Sequence, residues 1–193
     1  MKIDLPNNLG VHPNPVAMIS SGDMEHSNIA TIAWTGIINS EPMIVYVSIR
    51  QSRLSHEIIT NAKEFVINLP DVKLVKEADF CGTKSGRDVD KFVVAKLTKG
   101  QSLKVASPYI EECPINLECK VSNIRKFPSH DMFIAEVVHT RCDSEILDES
   151  GNVDFTKANL ITFAGKKYFV NNEEIGYRGC RCSVGADATF CPR

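Results

Sequence analysis

The sequence predicts a mainly β fold, a β-barrel or sandwich with short helices inserted between its strands. Three observations predict it. Apolar and polar residues alternate with period two in several short segments, breaks rich in proline and glycine separate those segments, and helical spacing of apolar residues is confined to two places. The 193 residues suffice for one sizeable domain and would make two cramped. A single domain over 1–193 is therefore expected, with a divergent cysteine-containing tail from about residue 177.

The first strand is expected over 16–20, behind Pro13 and Pro15, and the second over 29–38. The clearest is 43–50, MIVYVSIR, entered through Glu41-Pro42. Val45, Val47 and Ile49 share one face there, and Tyr46, Ser48 and Arg50 the other. Leu54, Ile58, Ile59 and Ala62 then recur at helical spacing, with Ser52 or Ser55 as N-cap. A strand over 64–68 and a short helix over 74–80 follow. Beyond Ser107-Pro108 come strands over 116–123 and 132–140, separated by Phe127-Pro128, and Ser150-Gly151-Asn152 marks a later turn. The chain carries no internal repeat, low-complexity tract or linker.

Composition excludes several classes. Hydrophobic and charged fractions of 43% and 24% are those of globular chains, not of disordered, collagen-like or coiled-coil ones. A net charge of −2 with scattered lysine and arginine makes no electrostatic case for a nucleic acid or a membrane surface. The opening MKIDLPNNLGVHP lacks an apolar h-region, and the longest apolar run, around 43–47, is too short to cross a bilayer, so a soluble cytoplasmic protein is expected. Seven irregularly placed cysteines point to reduced thiols. Cys180, Cys182 and Cys191 lack two-residue spacers and an evident fourth ligand, so no metal is expected and free thiols are. The five histidines form no ligand-spaced cluster; apart from His56 they read as surface or satisfied core residues. No G-x-G-x-x-G follows a strand, GTKSGR lacks the first glycine of a phosphate loop, and neither H-E-x-x-H nor G-x-S-x-G occurs.

Three stretches carry possible chemistry. SIRQSRLSH, 48–56, leaves a strand's polar face at Ser48 and Arg50 and enters a helix start at Ser52 to Ser55. Unpaired amides, the positive end of the helix dipole, hydroxyls and forked guanidinium groups suit a phosphate. An ordinary capped helix with solvated arginines fits those residues equally well. CGTKSGRDVDKF, 81–92, is too polar for core and reads as a ligand loop or as a mobile surface loop. NIATIAWTGIIN, 28–39, holds Trp34, whose residue type favours a core anchor, beside a Thr35-Gly36 step that would let a flat ligand approach the backbone.

In this order, and continued by SPYIEECPINLECKV and SHDMFIAEVV, these stretches resemble the flavin reductase-like family, whose members bind FMN in a split β-barrel. The resemblance runs from about Pro13 to Gly176 and looks closest to the flavoredoxin-type branch. It implies that Ser48, Ile49, Arg50, Ser52, Arg53, Ser55 and His56 bind the FMN phosphate and ribityl chain. It further implies that Trp34, Thr35 and Gly36 lie against the flavin ring with backbone amides toward N5 and O4, and that a loop with Lys84, Ser85, Gly86 and Lys91 closes over the cofactor. The same resemblance implies a homodimer that takes hydride from NADH or NADPH and passes electrons to free flavin or a redox partner protein, the chemistry residing on the flavin and not on a side-chain acid or base. An FMN electron carrier without efficient NAD(P)H oxidation is the alternative. Two positions depart from the Arg-Pro-Ser-Arg-Tyr-Ser-His of many relatives: Gln51 replaces proline and Leu54 replaces tyrosine.

Overall fold

The computed structural model describes residues 1–7 and 9–176. Its strands are β1 (Asn14–Pro15), β2 (Ala17–Gly22), β3 (Ser27–Ile32), β4 (Thr35–Ser40), β5 (Met43–Arg50), β6 (Glu64–Leu69), β7 (Lys99–Gly100), β8 (Tyr109–Ile110), β9 (Ile115–Lys126), β10 (His130–Cys142), β11 (Leu160–Ala164) and β12 (Lys167–Asn171). Helices α1 (Leu54–Ala62), α2 (Val75–Thr83), α3 (Lys91–Val94) and α4 (Phe155–Ala158) are inserted between them. The fold is mainly β, as the period-two pattern requires.

Seven strands form one antiparallel sheet in the order β3-β2-β6-β9-β10-β5-β4. Its two edges, β3 and β4, are consecutive in sequence and joined by Ala33 and Trp34 alone. Three Cα steps span on the order of 10 Å, so the sheet must curl until the end of β3 comes close to the start of β4. The result is a split barrel. A hydrogen bond from Ser48 N–H to Trp34 C=O, 2.9 Å, anchors the connection to β5. Register shifts between Ile134 and Ala135 and between Val137 and His139 interrupt the long β9–β10 ladder, and such bulges bend a sheet.

The single strand predicted over 29–38 is thus two. The chain leaves one sheet edge at Ala33-Trp34 and joins the other, and apolar residues on both flanks conceal the break. On β5, Val45, Val47 and Ile49 turn inward as the alternation predicts, joining Ala17, Ile19, Phe65, Cys119 and Phe133 in the barrel core. β2 is buried on both faces. Ala17 and Ile19 enter the barrel, while Val16 just before the strand and Met18 within it pack outward against Leu74, Ala78 and Phe92 beneath α2 and α3.

The helix start also differs from expectation. Arg53 occupies the N-cap of α1 and no side chain caps it, whereas Ser52 precedes the cap and Ser55 is buried in the first turn. Asp71 accepts from Lys73 N–H in a 3-10 turn, Val72–Leu74, that leads into α2. Period and propensity give no warning of β1, β7 and β8, which span two residues each. The β11–β12 hairpin, absent from the sequence expectations although two β-rich runs flank a Gly-Lys pair there, turns on Gly165 and Lys166, both at positive φ (54° and 66°). Among the described residues no helix is long and apolar enough to cross a membrane. Cys180, Cys182 and Cys191 lie outside the described residues.

Phe133 is fully buried at the centre of the barrel core. Replacing it with alanine is expected to cost about 3–5 kcal/mol, read as a lowered midpoint in denaturant unfolding at unchanged slope.

Candidate functional site

The split between β3 and β5 opens into a cavity of about 400 Å³. On one side the polar face of β5 delivers Ser48 and Arg50. The turn that follows, closed by Arg53 N–H to Arg50 C=O at 3.0 Å, brings Ser52, Arg53 and Leu54 to the same wall. With no side chain capping α1, the Leu54 and Ser55 amides are available to an external acceptor beside these residues, while His56 N–H already donates to Arg53 C=O at 3.0 Å. Arg53 does not swing free: its Nη2 donates to Gly82 C=O at the end of α2, 3.1 Å.

The opposite wall is the free edge of β3. Lys91 Nζ donates to Ile29 C=O at 2.6 Å and to Cys81 C=O at 2.7 Å. Because Ile29 presents its carbonyl off this edge, strand alternation turns the backbone groups of Thr31 the same way. Thr31, Ile32 and Ala33 all line the cavity. Trp34 stands at its mouth, 53% exposed, with its ring tilted against His130 at 4.6 Å between centroids. The core placement that its residue type favours is therefore not the one it adopts.

Of the residues singled out in the sequence, Trp34, Ser48, Ile49, Arg50, Ser52, Arg53, Lys84, Ser85, Gly86 and Lys91 line this cavity. Thr35, Gly36, Ser55 and His56 do not. Thr35 Oγ1 donates to Tyr46 C=O, 2.6 Å, within the β4–β5 ladder. Gly36 is small because Tyr46 lies across it: a Cβ there would sit 3.0 Å from the ring. Ser55 Oγ accepts from Asn28 Nδ2 at 2.8 Å, and Asn28 packs so closely on Gly86 that a Cβ at that glycine would collide with it. These groups brace α1, β3 and the 84–86 loop against one another. His56 pairs with Asp131 at 2.9 Å.

Sequence reasoning assigned no contact to Asn28, Thr31, Ala33, Cys81, Gly82 or His130, though all but His130 lie in the stretches 28–39 and 81–92 it singled out; all six line the cavity. The β3 and α2 contributors act largely through backbone, which side-chain motifs do not record. His130 becomes visible only once β10 is registered on β5, where it faces Arg50.

The site is short of negative charge. Burial lowers the Lys91 amine to about 8, and Arg53 adds to the effect. Burial likewise lowers the His130 imidazole, assisted by Arg50. Burial raises the Cys81 thiol to about 11, which leaves it protonated and unreactive at neutral pH. His130 should therefore titrate below the ordinary imidazole value of about 6.5. In an NMR pH titration the Arg50→Ala variant should move its midpoint upward; an unmoved midpoint would remove Arg50 as a cause.

The chain matches the family model for the flavin reductase like domain over residues 9–169. It is 30% identical to an uncharacterised protein of Archaeoglobus fulgidus over 164 residues, covering 85% of this chain and 92% of that one. Among solved structures it is similar to the flavoredoxin of Desulfovibrio vulgaris, with TM-score 0.88, 29% identity and coverage of 94% of this chain and 99% of that one. The flavoredoxin of Methanosarcina acetivorans is similar at TM-score 0.85 and 28% identity, over 95% and 98% of the two chains.

Proposed function

Because the chain belongs to the flavin reductase-like family, we propose that its cavity binds FMN and that the protein is an oxidoreductase, taking hydride from NADH or NADPH and passing electrons to free flavin or a partner protein. One observation carries the reading. An uncapped helix start, two arginines and two serine hydroxyls converge on one end of a cavity whose other wall is a free strand edge ending in a half-exposed tryptophan. The donor set fits a phosphate at one end and a flat heterocycle along the edge.

In this reading Arg50 and Arg53 hold phosphate oxygens, joined by Ser48, Ser52 and the first amides of α1. Ile49 lines the cavity between Ser48 and Arg50. Backbone groups of Thr31 and Ala33 face the polar rim of the ring, a role moved here from Thr35 and Gly36, and Trp34 covers the ring's exposed end. Lys84, Ser85 and Gly86 border the cofactor on the loop side. Lys91 commits two of its three N–H donors to the Ile29 and Cys81 carbonyls and keeps one for the cavity, where its cation favours negative charge. Bound FMN would supply the hydride-accepting, electron-passing chemistry. The exposed apolar residues Trp34, Ile37, Ile38 and Met43 at the β4 edge make a second copy of the chain the partner we assign.

The close likeness to two flavoredoxins favours a second reading, an FMN electron carrier that does not oxidise NAD(P)H efficiently. Anaerobic mixing separates the two. Bleaching of the flavin absorbance by NADH or NADPH within catalytic times is expected of the reductase; bleaching by dithionite alone would leave the carrier. Protein that stays colourless with added FMN would refute both. For the phosphate end, Arg50→Ala is expected to weaken FMN binding by about 1.5–3 kcal/mol in a fluorescence titration, and unchanged affinity would remove Arg50 from the site.

A further inference from the structure

The segment that faces the phosphate end of the cavity is held from behind by one carboxylate. Asp131 lies on β10 opposite Ile49 of β5 and is 3% exposed. Gln51 Nε2 donates to its Oδ1 at 2.9 Å, and His56 Nε2 lies 2.9 Å from its Oδ2. Burial raises the Asp131 carboxyl, but the hydrogen bonds from Gln51 and His56 outweigh it and hold the group below the ordinary carboxylate range. The carboxylate is thus ionised at neutral pH and can only accept, so both partners donate to it. Gln51 makes a second, longer bond to Phe127 C=O, 3.3 Å, and the His56 ring rests edge-on against Phe133 at 5.2 Å.

Gln51 and His56 bracket Ser52, Arg53, Leu54 and Ser55. The first three of these line the cavity; Ser55, turned to Asn28, and the two brackets do not. No side chain caps α1. Its first turn is placed on one side by Arg53 on Gly82 C=O and Ser55 on Asn28, and on the other by the grip on its flanks.

We infer that Asp131 is the positioning residue of this anion grip: through Gln51 and His56 it sets where Ser52, Arg53 and the first amides of α1 present their donors to a phosphoryl group. The inference rests on the FMN reading above and adds to it a residue that never touches the ligand. It also explains how the turn holds its shape with a glutamine at position 51.

The test compares FMN with riboflavin, which has the same ring and ribityl chain without the phosphate. Affinities of the full chain for both are measured by fluorescence quenching in the wild type, Asp131→Asn, Gln51→Ala, His56→Ala and His56→Gln. Asp131→Asn keeps the volume but accepts from only one of the two donors, and is expected to weaken FMN about tenfold. Gln51→Ala, at an exposed position where misfolding is not at issue, is expected to weaken FMN about threefold. Riboflavin affinity should stay within about twofold in both, and His56→Gln, which keeps a donor, should retain more FMN affinity than His56→Ala. Equal losses for the two flavins, as a general loosening of the barrel would produce, or wild-type FMN affinity in both Asp131→Asn and Gln51→Ala, would overturn the inference while leaving the FMN reading intact. A wild-type chain that binds neither flavin would overturn the FMN reading itself.

Discussion

The two-residue connection between β3 and β4 is the constraint on which the remaining architecture depends. A seven-stranded antiparallel sheet has two edges with unpaired amides and carbonyls, and twist alone does not bring them together. Here the chain runs from one edge to the other through Ala33 and Trp34, so the end of β3 is held close to the start of β4. The two strands form no ladder with each other. What would otherwise be a liability becomes a slot with a backbone edge on one side and the polar end of β5, Ser48 to Arg50, on the other.

Charge explains what that slot is suited to receive. Arg50, Arg53, Lys84 and Lys91 all line it, and among the described residues no aspartate or glutamate does. Assembling like charges is unfavourable, and the lowered Lys91 and His130 values register that cost together with burial. Part of it is offset locally. The C-terminal carbonyls of α2 accept from Arg53 and Lys91, at the end of a helix where cations are favoured. An anion at the start of α1 would relieve the remainder, which is the physical reason a phosphate suits this end better than a neutral group.

Legibility in the sequence followed the kind of signal each element carries. β5 was plain because one of its faces is buried and the other is not, so its alternation is complete. β2 is buried on both faces and shows only an apolar run, yet its position was still readable. The break at Ala33-Trp34 was not, because a change of sheet edge leaves no mark when both flanks are strands. The two-residue strands have no period to detect. At the site, side chains that act as side chains, Ser48, Arg50, Ser52 and Arg53, stood out, whereas the β3 edge acts through its backbone and could be found only once Lys91 was seen on the Ile29 carbonyl.

Residue type and residue role come apart most clearly inside the 48–56 stretch. Ser55 and His56 have the chemistry of ligand contacts, yet one hydrogen-bonds to Asn28 behind the helix and the other to Asp131 beneath it. Local contacts account for this: Ser52, Arg53 and Leu54 line the cavity, while Ser55 is buried in the first turn of α1 against Asn28 and His56 is drawn to Asp131. The cluster of polar residues that made the stretch look like a binding motif therefore divides by geometry into groups that point at the cavity and groups that hold those in place. A polar motif of this density needs both, since donors aimed at a ligand are effective only when they cannot relax away from it.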